Sequence, residues 1–292
     1  MKDKIGVFYE KIGKVVGCKK VIDNLIAGCR ELKIEVKQNE RLPLCGCIHG
    51  SSKFFNRNLP KNCLVGPEIM VLPTEMPWVW ETWDNFVQPS QWCVDYMQTF
   101  PHCRETRFYS WPIGIDTERF NERGRGKKFE FDCFVYYKNV TNQNPRFEFQ
   151  EIIRELTRRK IRFKVLEYGK YNESELIKCT KDCQFGIFFT GTESQGIAYM
   201  ECLSSNCPLC IIDQKTFKYQ DFQITLDSIS AAPYFDETCG VKSQQRNLGT
   251  DFDNFLKSFD KYTPRDFIVN NHSLKQGAQE YYDILLEVNN LK

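Results

Sequence analysis

Thr192 to Asp213 reads TESQGIAYMECLSSNCPLCIID, and the fold is decided by how its two glutamates, Glu193 and Glu201, fall around Gly196. The stretch follows CQFGIFF (183–189), a largely apolar run of strand length, and ends in PLCIID (208–213), a second such run led by proline. Between them, GIAYMECLSS (196–205) has helical length and no breaker after its glycine, so the segment predicts strand, loop, helix, strand. The helix starts near Gly196, which leaves Glu193 in the loop and Glu201 about a turn and a half into the helix. The same succession extends upstream through FDCFVYY (131–137, strand), RFEFQEIIRELTRRK (146–160, helix), RFKVLEYG (162–169, strand) and NESELIKCTKD (172–182, helix). Strands and helices that alternate over short connections build a parallel sheet covered on both faces.

The first half carries the pattern more loosely. Lys4–Tyr9 is a short apolar run, and KKVIDNLIAGCRELK (19–33) repeats apolar residues at helical spacing through Val21, Leu25, Cys29 and Leu32. Apolar runs follow at Leu42–Ile48, Cys63–Leu72 and Asn85–Gln88, then a Pro-Ser helix start at PSQWCVDYMQ (89–98) and a strand in RFYSWPIGID (107–116). NERGRGKK (121–128), with two glycines and no apolar residue, predicts an interdomain linker; a basic phosphate-binding patch is its alternative reading. The expected organisation is an N-terminal Rossmann-like domain over 1–122, a C-terminal Rossmann-like domain over 123–275, and a closing helix over 276–292 that packs back on the first. The fold class is α/β, two parallel sheets facing an interdomain cleft.

Composition narrows the function. The chain has 292 residues, 41% of them hydrophobic, which is ample material for two cores. Its 40 basic and 38 acidic residues leave a net charge of +2 and no broad footprint for a polyanion, so no nucleic-acid partner is expected. The N-terminal residues lack the apolar core of a signal peptide, and no apolar run approaches the roughly 20 residues that span a bilayer. A cytoplasmic protein with fourteen reduced thiols is the expectation. The spacings Cys45/Cys47 and Cys207/Cys210 suit a metal, but with three His and no second CxxC they read as buried packing, and no metal site is predicted. Asp251-Phe-Asp253 reads as the acidic first turn of a helix rather than a metal-binding DxD.

Ligands of open parallel sheets bind at the carboxyl ends of the strands, where Thr192 to Ala198 lies. Backbone N–H groups at a helix start can hold a phosphate, and a glycine there lets it approach closely. Carboxylates before and within the helix can accept hydrogen bonds from hydroxyls at either end of an extended ligand, and sugars and riboses are the obvious donors.

The spacing E-x7-E with Gly at the fourth position, followed by small residues and a Pro-led strand, resembles the signature of retaining GT-B glycosyltransferases of family 4, roughly E-x-F-G-x-x-x-x-E-A-x-x-x-G-x-P-V. Here it is carried by Glu193, Gly196, Glu201, Asn206, Pro208 and Leu209. WPIGIDTERF (111–120) is similar to the family's P-N-G-V-D-x-x-x-F, with Ile113 in place of the Asn. FVQPSQWCVDYM and AAPYFDETCG also resemble family segments, so the likeness covers most of the chain.

The resemblance implies a GT-B fold and metal-independent transfer of a sugar, with retention, from a UDP- or GDP-linked donor to a glycan or glycoconjugate, with no cofactor beyond that donor. It implies that Glu193 contacts donor-sugar hydroxyls and Glu201 the ribose, with Ser194, Gln195, Gly196 and Ile197 lining the donor. Lys138 stands where the family holds the diphosphate with Arg; the second cation is missing at its usual spacing, Arg146 and Lys170 are the substitutes considered, and Tyr168 is a further donor-binding candidate. On the acceptor side it implies Gly13 and Gly17 in the first loop and His49 as an active-site residue. Trp78 and Trp80 are candidates to stack on an acceptor sugar, against a packing role. A nucleotide-sugar-binding or glycan-binding protein without turnover, and an inverting GT-B transferase with a base near Glu75 or Glu81, are the alternatives.

Overall fold

The computed structural model describes residues 3–10, 17–48, 59–67, 72–126, 128–139, 146–219 and 222–290. They form two compact units, 1–114 with 272–292, and 115–271.

In the first unit the chain runs β1 (Lys4–Phe8), α1 (Gly17–Glu31), β2 (Glu35–Gln38), β3 (Cys45–Cys47), β4 (Leu64–Val65), α2 (Pro77–Thr82), β5 (Asn85–Gln88), α3 (Gln91–Gln98) and β6 (Arg107–Ser110). The strands make one parallel sheet in the order β2-β1-β3-β4-β5-β6. β2 escaped the sequence reading because EVKQ offers no apolar run. It is held at the sheet edge by pairing with β1, with Lys4 of β1 on Glu35 at 3.1 Å.

The second unit contains β7 (Phe131–Tyr137), α4 (Arg146–Arg158), β8 (Phe163–Glu167), α5 (Glu173–Asp182), β9 (Cys183–Phe189), α6 (Ile197–Ser204) and β10 (Leu209–Ile212). An antiparallel hairpin of β11 (Thr216–Tyr219) and β12 (Phe222–Thr225) follows, then β13 (Gly240–Ser243), α7 (Leu248–Lys257) and α8 (Pro264–Asn271). Its sheet is parallel in the order β13-β10-β9-β7-β8. Alternate residues of β7 face opposite cores: Phe134 and Tyr136 pack with α5, α6 and Ile268 of α8, whereas Cys133, Val135 and Tyr137 pack with α4 and α7. Cys207 and Cys210 are split between these two cores, all fourteen cysteines are free thiols, and burial pushes the Cys210 thiol up to about 12.

The chain passes between units at Gly114–Ile115, so Asn121–Gly126 of the expected linker lies within the second unit. Its basic residue explains why: the Arg125 guanidinium donates to the carbonyls of Thr180, Cys183 and Gln184 at the α5–β9 junction. Arg265 donates to the carbonyls of Thr117, Phe120 and Ser204, fastening the preceding turn to α6.

The closing helix α9 (Leu274–Asn290) returns to the first unit and packs on α1, where Gly28 lies against Leu274 and Ala278. The Trp111 indole donates to the Gly277 carbonyl at 2.6 Å and meets the Tyr281 ring at 4.7 Å between centroids. Among the described residues, no helix is long and apolar enough to cross a membrane. Trp111 is wholly buried, and Trp111→Ala is expected to destabilise the first unit by about 3–5 kcal/mol in guanidinium unfolding; a loss below about 1 kcal/mol would show that α9 is held elsewhere.

Candidate active site

In the second sheet β7 is followed by β8 on one side and β9 on the other, so the strand order reverses at β7. Such a reversal opens a crevice at the carboxyl ends of the two central strands. Lys138, the residue after β7, donates its backbone N–H to the Phe189 carbonyl at the end of β9, at 3.0 Å. Its ammonium lies 2.8 Å from both carboxylate oxygens of Glu193 and 5.1 Å from the centre of the Tyr168 ring. Tyr168 itself is registered by its N–H on the Tyr137 carbonyl. The Lys138 and Glu193 side chains are 23% and 13% exposed, so the pair is reachable from solvent yet partly shielded from it.

Gly196 adopts φ 78° and ψ 48° as the N-cap of α6. A Cβ there would be driven into the ring of Tyr199, whose hydroxyl accepts the Tyr234 N–H at 2.9 Å and cannot yield freely. Glycine therefore keeps the loop tight against the helix start, where N–H groups of the first turn lack partners within the helix and favour an anion. Ser194 is exposed, Ile197 and Ala198 are half-buried, and the buried Gln195 amide turns inward to 3.9 Å from the Met200 sulfur.

Glu201 is 2% exposed, not the surface residue that an arbitrary helical glutamate would be. It acts electrostatically on Tyr171, whose hydroxyl lies 3.0 Å from that of Tyr136, and Glu193 acts on Tyr136 in the same way. Burial, first of all, raises both phenol pKa values, so the two tyrosines stay neutral donors and acceptors between the carboxylates. Tyr136 and Tyr171 stand in apolar and polar runs with no local marker of a site, and sequence reasoning missed them.

Two further candidates of the second unit have partners of their own. Arg146 lies over the rings of Tyr137 and Phe149, 5.4 and 5.0 Å away, with the core on the opposite sheet face from Tyr136. Lys170 pairs with Glu167 at 2.9 Å and is 71% exposed. In the first unit Trp80 is a core side chain stacked 4.3 Å from Phe86, whereas Trp78 is exposed; Gly17 begins α1. Gly13 and His49 lie outside the described residues. Asp251 accepts the Ser243 hydroxyl at 2.7 Å and Asp253 pairs with Arg159, each serving a different protein group. Among the described residues, no three His, Cys, Asp or Glu side chains are grouped to hold a metal.

No protein-family profile matches the chain, and no curated protein matches it significantly. Solved structures do match in fold. Sucrose-phosphate synthase from Thermosynechococcus elongatus aligns over 100% of both chains with a TM-score of 0.64 and 8% identity. The apo lipopolysaccharide outer core galactosyltransferase WaaB aligns over 97% of this chain and 99% of its own, at 0.60 and 9%. An alpha-glucosyltransferase in complex with UDP and a 13-mer DNA covers 98% and 100%, at 0.52 and 9%. The chain shares their GT-B fold of two Rossmann-like domains.

Gly196→Ala is expected to cost about 1–3 kcal/mol, from the left-handed backbone and the Tyr199 ring together. Guanidinium unfolding measures it, and an unchanged midpoint would mean that the loop conformation is not fixed by this glycine.

Proposed function

We propose that the chain is a glycosyltransferase that takes its donor at the carboxyl end of β7 and β9. The observation that carries the reading is the Lys138–Glu193 pair at the strand-order reversal, beside the glycine-capped start of α6. An ammonium and a helix N-terminus are matched to a diphosphate, and an adjacent carboxylate to sugar hydroxyls. Support comes also from the shared fold with a sucrose-phosphate synthase and with structures named as a glucosyltransferase, holding UDP, and a galactosyltransferase.

In this reading the bond between the sugar anomeric carbon and the diphosphate oxygen breaks, and the electron pair leaves with the diphosphate. Lys138 and the first-turn N–H groups of α6 stabilise that developing charge, the role that a preorganised electrostatic site fills best. Glu193 fixes the donor sugar through its hydroxyls, and Glu201, beside Tyr171, receives the ribose hydroxyls. The acceptor hydroxyl of a glycan or glycoconjugate bonds to the anomeric carbon and releases its proton to the departing phosphate. With the acceptor entering on the face from which the diphosphate leaves, transfer proceeds with retention, from a UDP- or GDP-linked donor, with Lys138 and the α6 N–H groups in the place a metal would take.

Calorimetric titration with UDP and GDP in EDTA, followed by anomeric analysis of the product formed from the matching sugar donor, tests this. Lys138→Ala should weaken the bound nucleoside diphosphate about 10- to 100-fold. Glu193→Gln should leave that affinity equal or tighter, because the carboxylate no longer competes for Lys138, yet should lower transfer at least about 100-fold. Binding of neither nucleotide, or binding indifferent to Lys138→Ala, would overturn the donor site; an inverted product would overturn retention alone.

A further inference from the structure

The loop that carries Glu193 is set down on a second loop. The Glu193 N–H donates to the Ser230 carbonyl at 3.1 Å, and Ser230, Ala231 and Ala232 are all buried. What shapes that shelf is Asp213, the residue directly after β10. One Asp213 oxygen accepts the Ser230 hydroxyl at 2.8 Å and the Ala231 N–H at 2.7 Å. The Ser230 hydroxyl in turn accepts from the Ala232 N–H at 3.0 Å and from the Lys242 ammonium of β13 at 3.1 Å. The other Asp213 oxygen pairs with Lys215 at 3.3 Å, and the Asp213 backbone N–H holds the Ser243 carbonyl at 2.7 Å. At the far end of the shelf, the Tyr234 N–H is fixed by the hydroxyl of Tyr199, whose ring packs beside Gly196.

We infer that Asp213 is a positioning residue for Glu193, acting through the Ser230 carbonyl to set the height of the glutamate loop over the carboxyl ends of β9 and β10. A carboxylate that is 8% exposed and accepts two hydrogen bonds on one oxygen has its geometry fixed by desolvated, charge-assisted bonds. A shelf of one serine and two alanines cannot hold itself by side-chain packing of comparable strength. The catalytic consequence rests on Glu193 facing the donor sugar, as proposed above, but the positioning itself does not.

Hydrogen–deuterium exchange on the full chain, without ligand, reads the effect at Glu193 directly. Asp213→Ala should speed exchange in 190–196 about tenfold or more while Cys183–Phe189 stays protected, and Asp213→Asn, which keeps the accepting oxygen, should restore protection. Should Asp213→Ala lose protection throughout β9, Ser230→Ala replaces it, with the same acceleration expected at 190–196. Exchange at 190–196 unchanged in whichever of these variants stays folded, or Asp213→Asn behaving as Asp213→Ala, would overturn the inference. UDP calorimetry on the same proteins keeps the two ideas apart: a wild type that binds no UDP or GDP but shows the exchange pattern retains the shelf and loses the donor site.

Discussion

The hydrogen bond from the Lys138 N–H to the Phe189 carbonyl is the last rung between β7 and β9, and the site depends on it. Side chains alternate between faces along a strand, so the rung that pairs Tyr137 with Phe189 sends Tyr136 to the α6 core and Tyr137 to the α4 core, and carries Lys138 to Glu193. A slip by one residue would turn Lys138 toward the face where Arg146 lies. The register is enforced where the strands come closest. At Gly186 a Cβ would stand 2.6 Å from the Phe134 ring and 2.8 Å from a Leu209 methyl, so the aromatic side chains of β7 settle only against a glycine in β9.

Helix α6 supplies the second constraint. Six of its eight residues, Tyr199 to Ser204, are buried, so it is a helix of the core rather than of the surface. A helix so enclosed must satisfy its ends from inside the fold. The Ser205 hydroxyl returns to the Glu201 carbonyl, the Ser204 hydroxyl and Arg265 join its C-terminal end to Phe120, and the N-terminal end opens at the edge of the sheet. Burial of this kind is also what makes Glu201 informative. A carboxylate removed from water is tolerated only with polar company, here in the neighbourhood of the tyrosine pair, so its position in the sequence signals more than helix solubility.

How much of this was legible follows from where each signal resides. β7 and β9 were readable to the residue, because FDCFVYY and CQFGIFF are apolar but for Asp132 and Gln184 near their starts and are bounded by polar residues. The placement of Glu193 in the loop before α6 and of Glu201 within the helix was readable from the glycine start at Gly196. What sequence could not supply was contact across the sheet. Arg146 was weighed as a cation for its nearness to Lys138 in the chain, but strand alternation and the start of α4 carry it to the rings of Tyr137 and Phe149. β13 and the β11–β12 hairpin went unread because GVKS, TFKY and FQIT are short and half polar. Asp213 was visible as the polar residue ending PLCIID, while its partner Ser230 lies 17 residues away, Lys242, which donates to the Ser230 hydroxyl, lies 12 further on, and neither carries a local mark.

Under the proposed donor site, the Lys138–Glu193 pair is what would let a nearly neutral chain, at +2, take an anionic ligand. A partly buried ion pair gains little net stability, since its desolvation nearly offsets its attraction. What it does is hold both side chains in one rotamer, so that ordering a flexible lysine is already done when a ligand arrives. A diphosphate bearing a sugar offers each member a better partner at the same moment: more negative charge for the ammonium, hydroxyl donors for the carboxylate. A nucleotide without its sugar satisfies the first exchange and leaves Glu193 without the second. In the proposed reading, selectivity for the intact donor over the spent one would be a property of the pair rather than of any general charge on the protein.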